Sequence, residues 1–223
     1  GYNRQLIIGS DVAFGGRDNL FRTHGNYEIF DYNTAIERGY IPEDYFEFWG
    51  YEDKKLFEYA KEEALKLSQE DEPFNLTLLT VNTHFEGGYL EEDCPNIYNE
   101  QYSSVIACSA NQINDFVRWV QAQDFYDNTT IIISGDHLTM NNAYYENSPE
   151  GYTRTIYNLF INSAAKPNET KNRQFTALDM FPSTLAAMGV KIDGDRLALG
   201  TNLFSNEQTL VEKYGYDEVN KGL

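Results

Sequence analysis

The run Thr129-Thr130-Ile131-Ile132-Ile133-Ser134-Gly135-Asp136-His137 constrains the fold more than any other stretch of the chain. Two threonines and three isoleucines follow one another with no polar alternation, which predicts a strand buried on both faces. The run leads straight into Gly-Asp-His, so a carboxylate and an imidazole are expected where a central parallel strand ends. In open α/β sheets, ligands bind at the carboxyl ends of the strands. An oxygen donor beside a nitrogen donor suits a divalent cation such as manganese or zinc. Asp136 and His137 are therefore the candidate metal ligands. The plainer alternative is an aspartate capping the next segment beside an incidental histidine.

A second run repeats the layout. Residues 74–83, Phe-Asn-Leu-Thr-Leu-Leu-Thr-Val-Asn-Thr, predict another buried strand. His84 stands at its carboxyl end, before Glu86-Gly-Gly. Two of the three histidines thus fall at the ends of two predicted parallel strands. Between these strands, residues 96–123 predict a long helix, broken near Ser103, with Val105, Ile106, Ile113, Phe116, Val117 and Val120 as its apolar stripe. Strand, helix and strand form one unit with a right-handed crossover.

The amino-terminal region reads as a strand and a loop. Gln5-Leu-Ile-Ile-Gly-Ser-Asp11 is a short apolar run, and a parallel strand so near the terminus is expected to lie in the middle of a larger fold. The glycine-rich Phe14-Gly-Gly-Arg-Asp18 that follows places Arg17 at a strand end, where a guanidinium can fork onto phosphate or carboxylate oxygens. A flexible turn with a solvated arginine is the alternative. His24 comes next, in Phe21-Arg-Thr-His24, which reads as a loop.

Residues 26–50 read as aromatic and irregular. Asp53 to about Gln69 predicts an amphipathic helix with Leu56, Tyr59, Ala60, Ala64 and Leu67 facing a core and no chemistry of its own. Beyond His137, Leu138–Thr153 is polar and reads as a loop over the site. Thr155–Ile161 predicts a strand and Thr176–Met188 a helix, with Pro182 near its first turn and Gly189 ending it.

Length and charge narrow the class. The 223 residues fit one α/β domain, 1–223. A net charge of −18 argues against nucleic acid and against an anionic membrane surface as partners. An anionic substrate would need a site made positive locally, by a metal or by arginine. Cys94 and Cys108 either close a short disulfide loop, as in an oxidising compartment, or remain two thiols. Asn75-Leu-Thr, Asn128-Thr-Thr and Asn168-Glu-Thr are read as chance matches to the glycosylation pattern.

Several of these pieces fit one family in order: the strand ending in His84, a helix, the strand ending in Gly135-Asp136-His137, then Asp179-x-x-Pro-Ser-Thr-Leu, then Gly200-x-x-Leu-Phe204. Trp49-Gly50-x-x-Asp53-x-x-x-Phe57 belongs to the same set. Over nearly its whole length the chain resembles the later part of a sulfatase-like domain of the alkaline phosphatase superfamily. It is most similar to lipoteichoic acid synthases and related phosphoglycerol transferases.

The resemblance implies an α/β fold, a mostly parallel sheet flanked by helices, here incomplete at its N-terminal side. It implies one divalent metal, manganese first, with zinc or magnesium as alternatives. A threonine nucleophile would take phosphoglycerol from phosphatidylglycerol and pass it to a polyglycerolphosphate or glycan acceptor, on the extracellular face of a bacterial membrane. The parent protein would be anchored through upstream helices.

Carried over by residue, Asp136 and His137 match two metal ligands and His84 a histidine facing the head group. Arg17 and His24 lie where such enzymes hold glycerol phosphate. No residue matches the nucleophilic threonine or a glutamate ligand, both expected upstream, so the chain alone is expected to have little or no activity. Other readings are a sulfatase or phosphoethanolamine transferase on the same fold, or a non-catalytic glycopolymer-binding module. The lack of histidines between Leu138 and Tyr157 weighs against a two-metal phosphatase.

Overall fold

A computed structural model describes residues 1–146 and 148–222. They gather into two compact units. The first comprises Gly1–Gln123 with Thr139–Thr153, the second Asp124–Leu138 with the chain from Arg154 onward.

The first unit is built on a parallel sheet of three strands, β1 (Asn3–Ile8), β2 (Glu28–Phe30) and β3 (Phe74–Leu79), in the order β2-β1-β3. Ile7 of β1 pairs with Phe30 on one side and Leu78 on the other. Side chains alternate across a strand, so β1 feeds two cores. Ile7 joins Phe30, Ala35, Leu56, Tyr59 and Ala60 on one face, while Leu6 and Ile8 join Val12, Ile29 and Val81 on the other. The strand buried on both faces is therefore β1.

The helices of this unit are α1 (Arg17–Gly25), α2 (Tyr32–Glu37), α3 (Asp53–Leu67), α4 (Gln101–Gln121) and the single turn α5 (Asn142–Tyr145). Two expectations change. Phe21–His24 is helical rather than a loop, and residues 26–50 contain β2 and α2 rather than irregular chain. Helix α2 starts where Asp31 caps it, its carboxylate accepting from the Thr34 amide at 3.0 Å and from the Val12 amide at 3.1 Å. Glu100 caps α4 in the same way, at the Ser103 amide. Cys94 and Cys108 are joined as a disulfide, which fastens the segment before α4 to the helix itself.

The second unit holds two antiparallel pairs. In one, β4 (Ile131–Ser134) lies beside β5 (Asn158–Ile161), with Ile132 opposite Phe160. The Thr129 run therefore forms a strand as expected, but among the described residues it pairs antiparallel with β5, not inside a parallel sheet, and it is half-buried. An unbroken apolar run sets a strand's burial appetite without setting its neighbour's direction.

Helix α6 (Met180–Ala187), the short strands β6 (Arg196–Leu197) and β7 (Gly200–Thr201), α7 (Leu210–Tyr214) and α8 (Tyr216–Lys221) complete the unit. Two of the family motifs lock together here. The buried Asp179 carboxylate accepts from the Thr176 amide at 2.9 Å and the Thr201 amide at 2.8 Å, and the Ser183 hydroxyl accepts from the Leu203 amide at 3.0 Å. Their conjunction is structural. Arg173 binds the segment after them through both oxygens of Glu212 and the carbonyls of Leu203, Ser205 and Glu207.

Candidate active-site residues at two strand ends

In the first unit the chain leaves β3 and turns back within a few residues. The His84 amide donates to Val81 O at 2.9 Å, the Gly88 amide to His84 O at 3.1 Å, and the Tyr89 amide to Asn82 O at 2.8 Å. Gly88 is required: its φ is +70°, and a Cβ there would lie 2.7 Å from Asn82 O. The loop closes on Asn82 and leaves His84 half-buried at its start. The imidazole Nδ1 lies 2.7 Å from Phe85 O. A carbonyl only accepts, so Nδ1 is the donor in this contact and Nε2 takes no part in it.

Arg17 opens α1, just after the end of β1. It donates to Asp11 O at 2.8 Å and to Ser10 Oγ at 3.2 Å, and burial lowers its pKa from the ordinary value against the pull of Asp11. Its guanidinium sits 5.3 Å from the Phe14 ring centroid. Phe14 in turn contacts Trp49 at 5.7 Å, and Trp49 meets the His84 ring edge-on at 4.8 Å.

An aromatic path thus joins Arg17 to His84 across the carboxyl ends of two adjacent parallel strands. Trp49 is held by its neighbour Gly50, which bridges to Ser10; a Cβ on Gly50 would lie 2.1 Å from Gly9 O. In the sequence, Trp49 stands out only through the Trp-Gly pair that opens its motif.

His24 stands about two turns along α1 from Arg17. Its Nδ1 lies 3.0 Å from both Leu20 O and Thr23 Oγ1, within its own helix, and the ring is exposed. None of these contacts ties it to Arg17 or His84. The polar segment after Leu138 is anchored in this unit: Thr139 Oγ1 lies 3.1 Å from the Tyr102 hydroxyl, which donates to Thr83 O at 2.8 Å.

In the second unit, Asp136 and His137 follow β4 and are exposed, with side chains 67% and 54% accessible. Asp136 Oδ1 accepts from the His137 amide at 2.9 Å. His137 Nδ1 lies 2.8 Å from Leu138 O, so Nδ1 is the donor there and Nε2 is not used by that contact. That nitrogen is 3.6 Å from Asp136 Oδ2. Two donors each about 2.1 Å from one ion can be separated by up to about 4.2 Å, so the pair fits a shared divalent cation. Among the described residues no group of three or more metal-ligating side chains gathers, so the pair fits only as part of a ligand set.

A parallel sheet with basic and imidazole groups just beyond its strand ends is the layout of an α/β domain that binds ligands there. The chain belongs to the sulfatase family, which it matches over residues 1–190. It is 28% identical over 218 residues to phosphoglycerol transferase I of Xanthomonas campestris pv. campestris, covering 93% of this chain and 30% of that protein. Against the phosphoglycerol transferase I of Escherichia fergusonii it is 30% identical over 153 residues, 64% of this chain and 19% of the relative. The chain thus spans less than a third of the length of these relatives.

Among solved structures, lipoteichoic acid synthase LtaP from Listeria monocytogenes superposes with a TM-score of 0.61 at 17% identity, covering 91% of this chain and 53% of that one. An alkaline phosphatase superfamily protein from Vibrio parahaemolyticus gives 0.58 at 22%, covering 89% and 49%. These likenesses establish the fold, a mixed α/β fold shared with both structures.

Proposed function

We propose that this chain forms the head-group-binding part of a metal-dependent phosphoglycerol transferase that draws on phosphatidylglycerol at the extracellular face of a bacterial membrane. The observation that carries the reading is the Arg17–Phe14–Trp49–His84 path at the ends of β1 and β3. A guanidinium and an imidazole suit the oxygens of a phosphodiester, and the aromatic faces suit the glycerol carbons. His24 is a third, outer polar contact in this reading.

Asp136 and His137 would hold one divalent cation, manganese first. When bound, such an ion neutralises phosphate charge and lowers the pKa of a coordinated nucleophile. No nucleophile is assigned among the described residues, and Asp136 with His137 is read as part of a larger ligand set. The 223 residues, read as a single working domain, should then bind without turning over.

Support for the compartment comes from the Cys94–Cys108 disulfide, because such bonds persist where the surroundings are oxidising. Among the described residues no helix is long and apolar enough to cross a membrane.

Calorimetry with glycerol 1-phosphate, with and without manganese, tests the reading. Arg17→Ala and His84→Ala should each weaken binding about tenfold, the loss of one charge-assisted contact, and Asp136→Ala should remove the manganese dependence. Binding indifferent to both manganese and Asp136→Ala would favour a non-catalytic glycopolymer-binding module. Release of diacylglycerol from phosphatidylglycerol by this chain alone would refute the claim that it cannot turn over.

A further inference from the structure

Beneath the His84 loop lie two carboxylates that the reading above does not use. Asp53, the first residue of α3, is fully buried, and Glu91 is 5% exposed. Asp53 Oδ1 accepts from the Val81 amide at 2.7 Å and Oδ2 from the Asn82 amide at 3.2 Å. The bonding is reciprocal. The Asp53 amide donates to Asn82 Oδ1 at 3.2 Å, and the Lys54 amide to Glu91 Oε1 at 3.1 Å, so the first two amides of α3 are capped from outside the helix. The Asn82 side chain also donates to Glu91 Oε1, and Gln112 of α4 donates to Glu91 Oε2 at 2.9 Å. Asn82 is the residue on which the His84 loop closes, through its carbonyl and the Tyr89 amide.

Burying a carboxylate is costly unless its oxygens are satisfied, and an apolar replacement of similar volume is often no less stable. What the acidic pair provides is direction: each oxygen fixes a particular amide. Burial, with Glu91 and Glu52 nearby, pushes the Asp53 pKa up to about 7 against the pull of the Val81 and Asn82 amides. The network therefore holds a group that would be easier to bury as a hydrocarbon.

We propose that Asp53 and Glu91 are positioning residues, acting through Asn82 to fix the loop that presents His84 to the phosphate ligand. The proposal rests on His84 being a head-group contact and adds what aims it.

The test uses the 223-residue chain, glycerol 1-phosphate as ligand and the His84 ring resonances in nitrogen-15 NMR. Asp53→Asn keeps the shape but turns one acceptor into a donor facing an amide. The expected result is displaced or broadened His84 resonances and a Kd about tenfold higher, in the range seen when the partner of a ligand-contacting histidine is lost. In a His84→Ala background the same substitution should change Kd less than about twofold, because the effect passes through the missing ring. Unchanged His84 resonances, or an equal loss of affinity in both backgrounds, would overturn the proposal. If His84→Ala binds as well as the parent, the head-group reading fails, while the ring resonances still decide the brace. Should Asp53→Asn not fold, Glu91→Gln decides by the same criteria, with a smaller displacement expected.

Discussion

The ends of β3 and β4 carry the same kind of residue on opposite kinds of support. His84 stands on a loop closed by its own backbone and tied through Asn82 to buried carboxylates from α3 and the segment before α4. Asp136 and His137 stand in solvent, bonded to one another and to the next carbonyl. A buried network incurs desolvation and gives a fixed direction in return, whereas an exposed donor pair keeps its lone pairs available and gains no direction from its surroundings. A strand-end histidine can therefore be aimed by the fold, or merely supplied by it.

The largest expected effect concerns Asp53. Its folded pKa of about 7 lies above the ordinary 3.8, so the folded chain keeps a proton that the unfolded chain has lost. Its contribution is present in full below the ordinary carboxylate pKa and is lost as pH rises through 7. The stability of the parent relative to Asp53→Asn should thus fall, by on the order of 4 kcal/mol, between pH 4 and pH 8. Urea melts across that range check it; a flat difference would mean the brace is no more buried, in energetic terms, than the β4 end.

Next comes the disulfide. Replacing Cys94 and Cys108 by serine should cost about 3 kcal/mol, seen as a melting temperature lower by about 6–12 °C. A loss under about 1 kcal/mol would show that the segment bearing Glu91 needs no fastening. Gly88→Ala should cost about 2 kcal/mol, since its φ of +70° and the 2.7 Å approach to Asn82 O both resist a side chain. Gly135→Ala meets Ile156 Cβ at 3.2 Å and should cost less than about 1 kcal/mol, so chemical denaturation of the two variants compares the two ends directly. Smallest of all, Asp136→Ala should leave stability within about 0.5 kcal/mol. A larger loss would reveal support at β4 that its bonding does not suggest.

The elements that periodicity addresses were legible. The apolar steps of Leu56, Tyr59, Ala60 and Ala64 gave α3, and the run at Phe74 gave β3. Short elements were not: β2 has three residues, α1 carries a weak apolar pattern, and α2 is announced mainly by Asp31 as its cap. The direction of pairing at β4 was invisible, because three isoleucines favour any apolar neighbour. At the β3 end the histidine could be singled out by its place after a strand. The brace beneath it could not, because its members come from α3, the turn after β3, the segment before α4 and α4 itself, and only the fold makes them neighbours. The Asp-His pair was the easiest feature to see, being adjacent in sequence.

The contact of Trp49 with His84 gives the molecule an optical handle on the histidine at the end of β3. The chain has two tryptophans, and Trp119 stacks on Phe116 of α4, which also meets Phe57 of α3. With Trp119 replaced by phenylalanine, the remaining indole emission would come from the ring touching His84. Any ligand that settles on that imidazole would then announce itself as a change in fluorescence, with no label attached.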